Sequence, residues 1–192
     1  TMPTQHPLNT VCPYYTMFPL SFPERVLRAA SAGELVADPF CGRGTTIYAA
    51  RLRGLPSYGI DTSPVAVAIS RAKVSSTSLS AVMQAYDRLL ESVTDSTMPK
   101  GWFWKLAFHE ETLSLLCRLR VALRRSSRGD SESGAVSLLR AVMLGALHGP
   151  LNTRGLPGSY FSNQMLRTFE PKPDYAVRFW KQNALTPKKA NV

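Results

Sequence analysis

The chain has 192 residues, 44% of them hydrophobic, and a formal net charge of +10 at pH 7. That is enough for one compact domain, or for one domain with a helical extension, around a real core. No apolar run approaches the roughly 18 residues that cross a bilayer, and the polar, proline-rich N-terminus lacks the apolar stretch of a signal peptide, so a membrane protein is not expected.

In chain order, residues 1–22 read as an extended arm, because Pro3, Pro7, Pro13 and Pro19 forbid a long helix. A short helix is predicted from Pro23 to Ser31, with Val26 and Leu27 on its apolar side and Gly33 as a stop. Leu35-Val36-Ala37-Asp38 is a short apolar run ending in an acid, which suits a buried parallel strand. The loop Pro39 to Gly44 leads into a helix from Thr45 to about Arg53, closed by Gly54. Ser57-Tyr58-Gly59-Ile60 reads as a second strand ending at Asp61. Ser63 then caps a helix with Pro64 in its first position, running to about Lys73. Strand, loop, helix, strand, helix is the opening of a doubly wound α/β sheet.

The remainder is helical in character. Amphipathic helices are predicted over 79–94, 110–125 and 135–148, with a flexible connector at 126–134. Residues 150–173 read as a long loop, and a last helix spans Tyr175 to Asn183. The expected division is 1–76 for the arm and the β-α-β portion and 77–192 for a helical extension. Two strands are too few for a doubly wound sheet. They leave an open edge and uncovered apolar faces, which predicts an interface with further strands.

The most informative string is Asp38-Pro39-Phe40-Cys41-Gly42-Arg43-Gly44-Thr45-Thr46. A strand delivers the chain to its carboxyl end. Gly42 and Gly44 permit a tight turn and close backbone approach to a ligand. Thr45 and Thr46 open a helix whose free N–H groups can face an anion. Thr46 and Ile47 stand where a dinucleotide fingerprint continues to its third glycine, and no lysine follows Gly44, so neither that fingerprint nor a phosphate-binding Walker loop fits. Asp61, 23 residues after Asp38, stands at the end of the next strand, where an acid can accept ribose hydroxyls or simply cap the following helix.

This string resembles motif I of S-adenosylmethionine-dependent methyltransferases that modify exocyclic amines of DNA bases, N4 of cytosine or N6 of adenine. The resemblance implies a Rossmann-like sheet with a helical insertion or tail. It also implies S-adenosyl-L-methionine as cofactor, held by Asp38, Pro39, Phe40, Cys41, Gly42, Gly44, Thr45 and Thr46. Asp61, Thr62 and Ser63 match the family's Asp-x-Ser-Pro pattern and extend the site. Pro13-Tyr14-Tyr15-Thr16-Met17-Phe18-Pro19-Leu20 is similar to the family's motif X, which folds over the methionine moiety, with Phe18 and Pro19 at the matching positions. An aromatic ring there can attract a sulfonium; a packed arm is the alternative.

The family's acceptor motif, Asp/Asn/Ser-Pro-Pro-Tyr/Phe, is absent, because the 192 residues contain no Pro-Pro dipeptide. No catalytic residue is therefore assigned. Gly158 to Met165 and Phe169 to Tyr175 are similar to a bacterial subgroup in which a helical insertion and a Ser-Asn-Gln segment precede a later Ser-Pro-Pro-Tyr-Tyr. The resemblance thus implies an N-terminal half whose companion, a second polypeptide carrying Ser-Pro-Pro-Tyr, completes the enzyme; a cut gene is the alternative. DNA is the implied partner, in keeping with the charge.

Two other readings stay open: a fragment of an RNA guanine-N2 methyltransferase, whose motif I is similar, and an inactive remnant that binds cofactor or DNA. Cys12, Cys41 and Cys117 are odd in number and form no CxxC pair, so no disulfide framework or metal site is expected and the cytoplasm is the expected location. Trp102, Phe103 and Trp104 read as core packing rather than base-stacking groups. His109 and His148 read as helix-end or core residues. Arg118, Arg120, Arg124, Arg125 and Arg128 form a basic edge, either solvated or facing phosphates. Tyr160, Phe161, Asn163 and Gln164 are candidates for lining the cleft.

Overall fold

The computed structural model describes residues 6–12, 18–127, 132–147, 160–162, 173–190 and 192. They form two compact units. The first comprises Thr1–Ala85 with Glu132–Leu144, the second Tyr86–Ser131 with Gly145–Val192.

In the first unit the arm is not wholly extended. Pro7–Thr10 makes one 3₁₀ turn, because the fixed φ of Pro7 that forbids a long helix is well suited to starting a short one. Helix α1 spans Ser21–Val26 and continues as a 3₁₀ turn over Leu27–Ala29, so it begins two residues before Pro23 and ends before Ser31. Strand β1 (Val36–Asp38), helix α2 (Thr45–Leu52), strand β2 (Ser57–Gly59) and helix α3 (Pro64–Val74) follow as the spacing predicts. The two strands pair in parallel, with Val36 opposite Ser57, Ala37 opposite Tyr58 and Asp38 opposite Gly59. Among the described residues the fold is therefore mixed α and β, with a two-stranded parallel sheet.

Helix α2 packs on one face of this sheet and on α3. Ala49 and Ala50 of α2 and Ala66 and Ala72 of α3 are wholly buried, and these small side chains let the two helices approach closely around Ile47 and Ile69. Gly59 serves the same purpose on β2. A Cβ there would stand 3.1 Å from Cys41 and from Ile47. Side chains alternate across a strand, so Leu35, Ala37, Tyr58 and Ile60 share the opposite face. That face is open: Leu35 is 66% exposed, Tyr58 60% and Ile60 49%. Parallel strands are normally covered on both faces, and the expectation of a buried strand is corrected on this side.

Helix α4 (Leu79–Glu91) runs from the first unit into the second, and α7 (Gly134–Ala146) likewise belongs to both. The second unit holds α5 (Trp102–Ala107), α6 (Glu110–Ser126) and α8 (Pro173–Gln182). Along α6 the buried residues Thr112, Leu113, Leu116, Cys117, Leu119, Ala122 and Leu123 follow helical spacing. Trp180 of α8 is 1% exposed and meets Phe103 with ring centroids 5.7 Å apart. Phe103 also meets Trp104, which stacks on Phe108. This aromatic group is core, except for Trp102 at 60% exposure.

Candidate functional site

The carboxyl ends of β1 and β2 meet at one loop, and its hydrogen bonds define its shape. Ile60 N–H donates to Asp38 O (3.0 Å) and Cys41 N–H donates to Ile60 O (2.9 Å), so the ladder continues past the strands. Gly44 N–H returns to Cys41 O at 2.7 Å, closing the turn. Gly42 and Gly44 both lie in the left-handed region, at φ +50° and +70°, which side-chain-bearing residues enter only at a cost. Their surroundings differ. A Cβ on Gly42 would meet nothing within 4 Å, whereas one on Gly44 would lie 2.6 Å from Ser70 Oγ and 3.0 Å from its Cα. Gly44 is needed for packing against α3; Gly42 leaves an open approach to the backbone.

Asp61 holds this loop from the neighbouring strand. Its Oδ2 accepts from Gly42 N–H and its Oδ1 from Ser63 N–H, both at 2.8 Å. Each carboxylate oxygen retains a further lone pair. Ser70 Oγ donates to Gly42 O at 2.9 Å from α3. Ser63 caps α3, its Oγ accepting from Ala66 N–H at 3.4 Å. Asp38 Oδ1 accepts from Phe40 N–H at 3.1 Å.

These bonds surround a cleft of about 260 Å³ lined by Phe18, Asp38, Phe40, Cys41, Gly42, Arg43 and Thr45. Phe18 is 45% exposed and packs edge-on against Phe22 at 5.5 Å. Phe40 is 88% exposed. The Cys41 thiol is buried, and burial pushes its pKa up, so it is a packing group rather than a nucleophile. No side chain caps the first turn of α2, because Gly44 occupies the capping position.

Of the residues selected from the sequence, Phe18, Asp38, Phe40, Cys41, Gly42 and Thr45 line the cleft. Gly44 and Asp61 shape its wall through the contacts given above. Pro39 and Thr62 are exposed turn residues, and Thr46 is half-buried in the first turn of α2. Pro19 is exposed, and its carbonyl accepts Phe22 N–H at 3.0 Å. Pro13 to Met17 lie outside the described residues, as do Arg128, His148, Gly158, Ser159, Asn163 to Met165 and Phe169 to Lys172.

Arg43 is a lining residue that the sequence did not single out. Its Nη2 donates to Asn9 O at 3.0 Å, while its Nε is buried without a partner. Behind it Lys73, fully buried, donates to Asn9 Oδ1 at 3.1 Å and lies 5.9 Å from the Tyr48 ring. Burial, reinforced by the Arg43 charge, lowers Lys73 to about 8. Asn9 thus ties the arm to the loop through two cations. No carboxylate pairs with either cation among the described residues, and the wall behind the cleft is electropositive.

Two other sets of candidates have structural duties in the second unit. Arg118 donates to the carbonyls of Val93 and Leu90, each at 2.8 Å, whereas Arg120, Arg124 and Arg125 are exposed. Ser162 Oγ donates to Ala107 O at 2.7 Å, and the backbone amides of Phe161 and Ser162 bond to Ala146 and Leu147, anchoring this segment.

Residues 3–72 match the family model of N6 and N4 DNA methylases. This part of the chain is similar to the DNA methylase family. The matched span contains the arm, the cleft-forming loop, both strands and most of α3. The methylase segment therefore coincides with the β-α-β core of the first unit. No curated protein and no solved structure matches the chain. Among the described residues no helix is long and apolar enough to cross a membrane.

Proposed function

We propose that the cleft between the loop 39–44 and Phe18 holds S-adenosyl-L-methionine, and that the chain is the cofactor-binding portion of an enzyme methylating N4 of cytosine or N6 of adenine in DNA. The observation that carries this reading is that the cleft lies wholly within the matched methylase segment, at the carboxyl ends of two parallel strands. The residues fit the ligand. Arg43, with an unpartnered Nε, and the uncapped start of α2 suit a carboxylate. Asp38 suits an ammonium group. Phe18 and Phe40 offer ring faces to a sulfonium or an adenine. Asp61, with lone pairs to spare beyond its two amide bonds, suits ribose hydroxyls.

The cofactor, when bound, supplies an activated methyl group on sulfur. The chain's own residues bind and orient it; displacement at that carbon needs alignment more than acid–base help. The acceptor motif, absent from these 192 residues, belongs to polypeptide outside this sequence. A second chain carrying Ser-Pro-Pro-Tyr is the proposed source, its strands pairing at an open edge of the sheet and its body covering the face where Leu35, Ala37, Tyr58 and Ile60 are exposed. In this reading the cofactor strands form part of a larger doubly wound sheet.

Tritiated methyl transfer to mixed-sequence DNA tests the proposal. The chain alone is expected to give no transfer, and co-expression with a companion containing Ser-Pro-Pro-Tyr is expected to restore it. Robust turnover by the highly purified chain alone would overturn the division of labour.

A further inference from the structure

In the second unit, α5 begins with an indole that the core does not use. Trp102 is 60% exposed, whereas its neighbours Phe103 and Trp104 pack inward. Lys181 Nζ of α8 lies 4.0 Å from the Trp102 ring centroid, and Lys105 Nζ lies 5.8 Å from it. Both ammonium groups are attracted to one ring, so they can be no more than about 10 Å apart, the sum of those two distances. Arg178 is exposed one turn before Lys181 on the same helix and shares its side. Among the described residues no carboxylate pairs with any of the three.

Two like charges are costly to hold together without a counterion. Here the indole quadrupole holds them, so the lysine side chains are partly ordered before any partner arrives. Such ordering lowers the entropic cost of binding an anion. The wider unit points the same way. By sequence it carries 15 Lys and Arg against 8 Asp and Glu, compared with 8 against 5 in the first unit, so most of the +10 lies here. Neighbouring phosphates of a DNA strand rise by ~3.4 Å along the helix axis and wind around it, so two of them fit a cluster of this span.

We infer that Trp102, Lys105, Lys181 and Arg178 form a contact site for the DNA sugar-phosphate backbone, which positions the duplex without reading its bases. The inference takes from the family match only that DNA is the partner. It does not depend on how the cofactor binds.

Fluorescence anisotropy of the full chain with a mixed-sequence duplex, over a range of salt concentrations, tests it. The Lys105→Ala/Lys181→Ala variant is expected to bind at least tenfold more weakly at low salt. Its slope of log affinity against log salt should fall by about 2, one for each lost phosphate contact. Arg53→Ala/Arg71→Ala removes the same charge from exposed positions of the first unit and serves as the control, with its slope expected to stay near that of the parent. Trp102→Phe keeps an aromatic face and should retain affinity within about threefold while losing DNA-induced quenching of tryptophan fluorescence. An unchanged slope in the lysine variant, an equal loss in the control, no DNA binding by the parent chain, or a preference for duplex RNA over DNA would each overturn the site. S-adenosylmethionine binding measured on the same variants is expected to be unchanged. Loss of the cofactor reading alone would therefore be visible as parent chain that binds DNA but not cofactor.

Discussion

Gly42 and Gly44 share a left-handed backbone but differ in what surrounds them, and a matched pair of substitutions separates the two effects. Gly42→Ala should cost only the conformational penalty, about 1–2 kcal/mol. Gly44→Ala adds a clash with Ser70, including its backbone Cα, and should cost at least ~1 kcal/mol more. Urea unfolding of both variants checks this, and equal midpoints would contradict the packing role given to Gly44. Lys73 offers a test by pH. Its folded-state pKa of about 8 lies below the ordinary 10.5. Between those values the unfolded chain keeps a proton that the native state has released, so native stability rises with pH across that window. Below pH 8 both states are protonated and the burial penalty is present in full. Relative to Lys73→Met, the parent chain should gain roughly 1–2 kcal/mol between pH 8 and 9.5. Parallel stability profiles would show that Lys73 is not buried as a cation.

At the scale of elements, the parts nearest the cleft were the most legible in the sequence. The glycine string fixes where β1 ends and α2 begins, and Ser63-Pro64 fixes the start of α3. Ser63→Ala should cost about 1 kcal/mol by removing the cap bond to Ala66 N–H, a loss that thermal unfolding can register. Less was legible where local pattern and tertiary context part company. Helix α5 is only six residues long, and its Trp-Phe-Trp start shows no periodicity. Which of the three aromatic rings stays exposed depends on α8, some 70 residues later in the chain. Arg43 stands between the two glycines of the loop. Its bond to Asn9 spans 34 residues, and the bond from Lys73 to Asn9 spans 64. Spacing arguments do not reach such pairs. The open sheet face follows from the count of strands rather than from any one strand. Replacing Leu35 and Tyr58 by lysine should reduce self-association in sedimentation experiments without unfolding the chain, because both side chains are already exposed. Unchanged self-association would show that this face is not sticky.

For the whole molecule, a segment that matches DNA methylases carries a cleft of about 260 Å³, and a second unit holds most of the positive charge. On our proposal the first unit binds S-adenosyl-L-methionine through the loop that Asp61 holds in place. Isothermal titration calorimetry of the full chain with S-adenosyl-L-methionine tests it most directly. Saturable binding at one site per chain is predicted, weakened by about 1–3 kcal/mol in Asp61→Ala, which removes the acceptor of Gly42 and Ser63 N–H and the proposed acceptor of the ribose hydroxyls. No binding by the parent chain, or an affinity unchanged in Asp61→Ala, would contradict it.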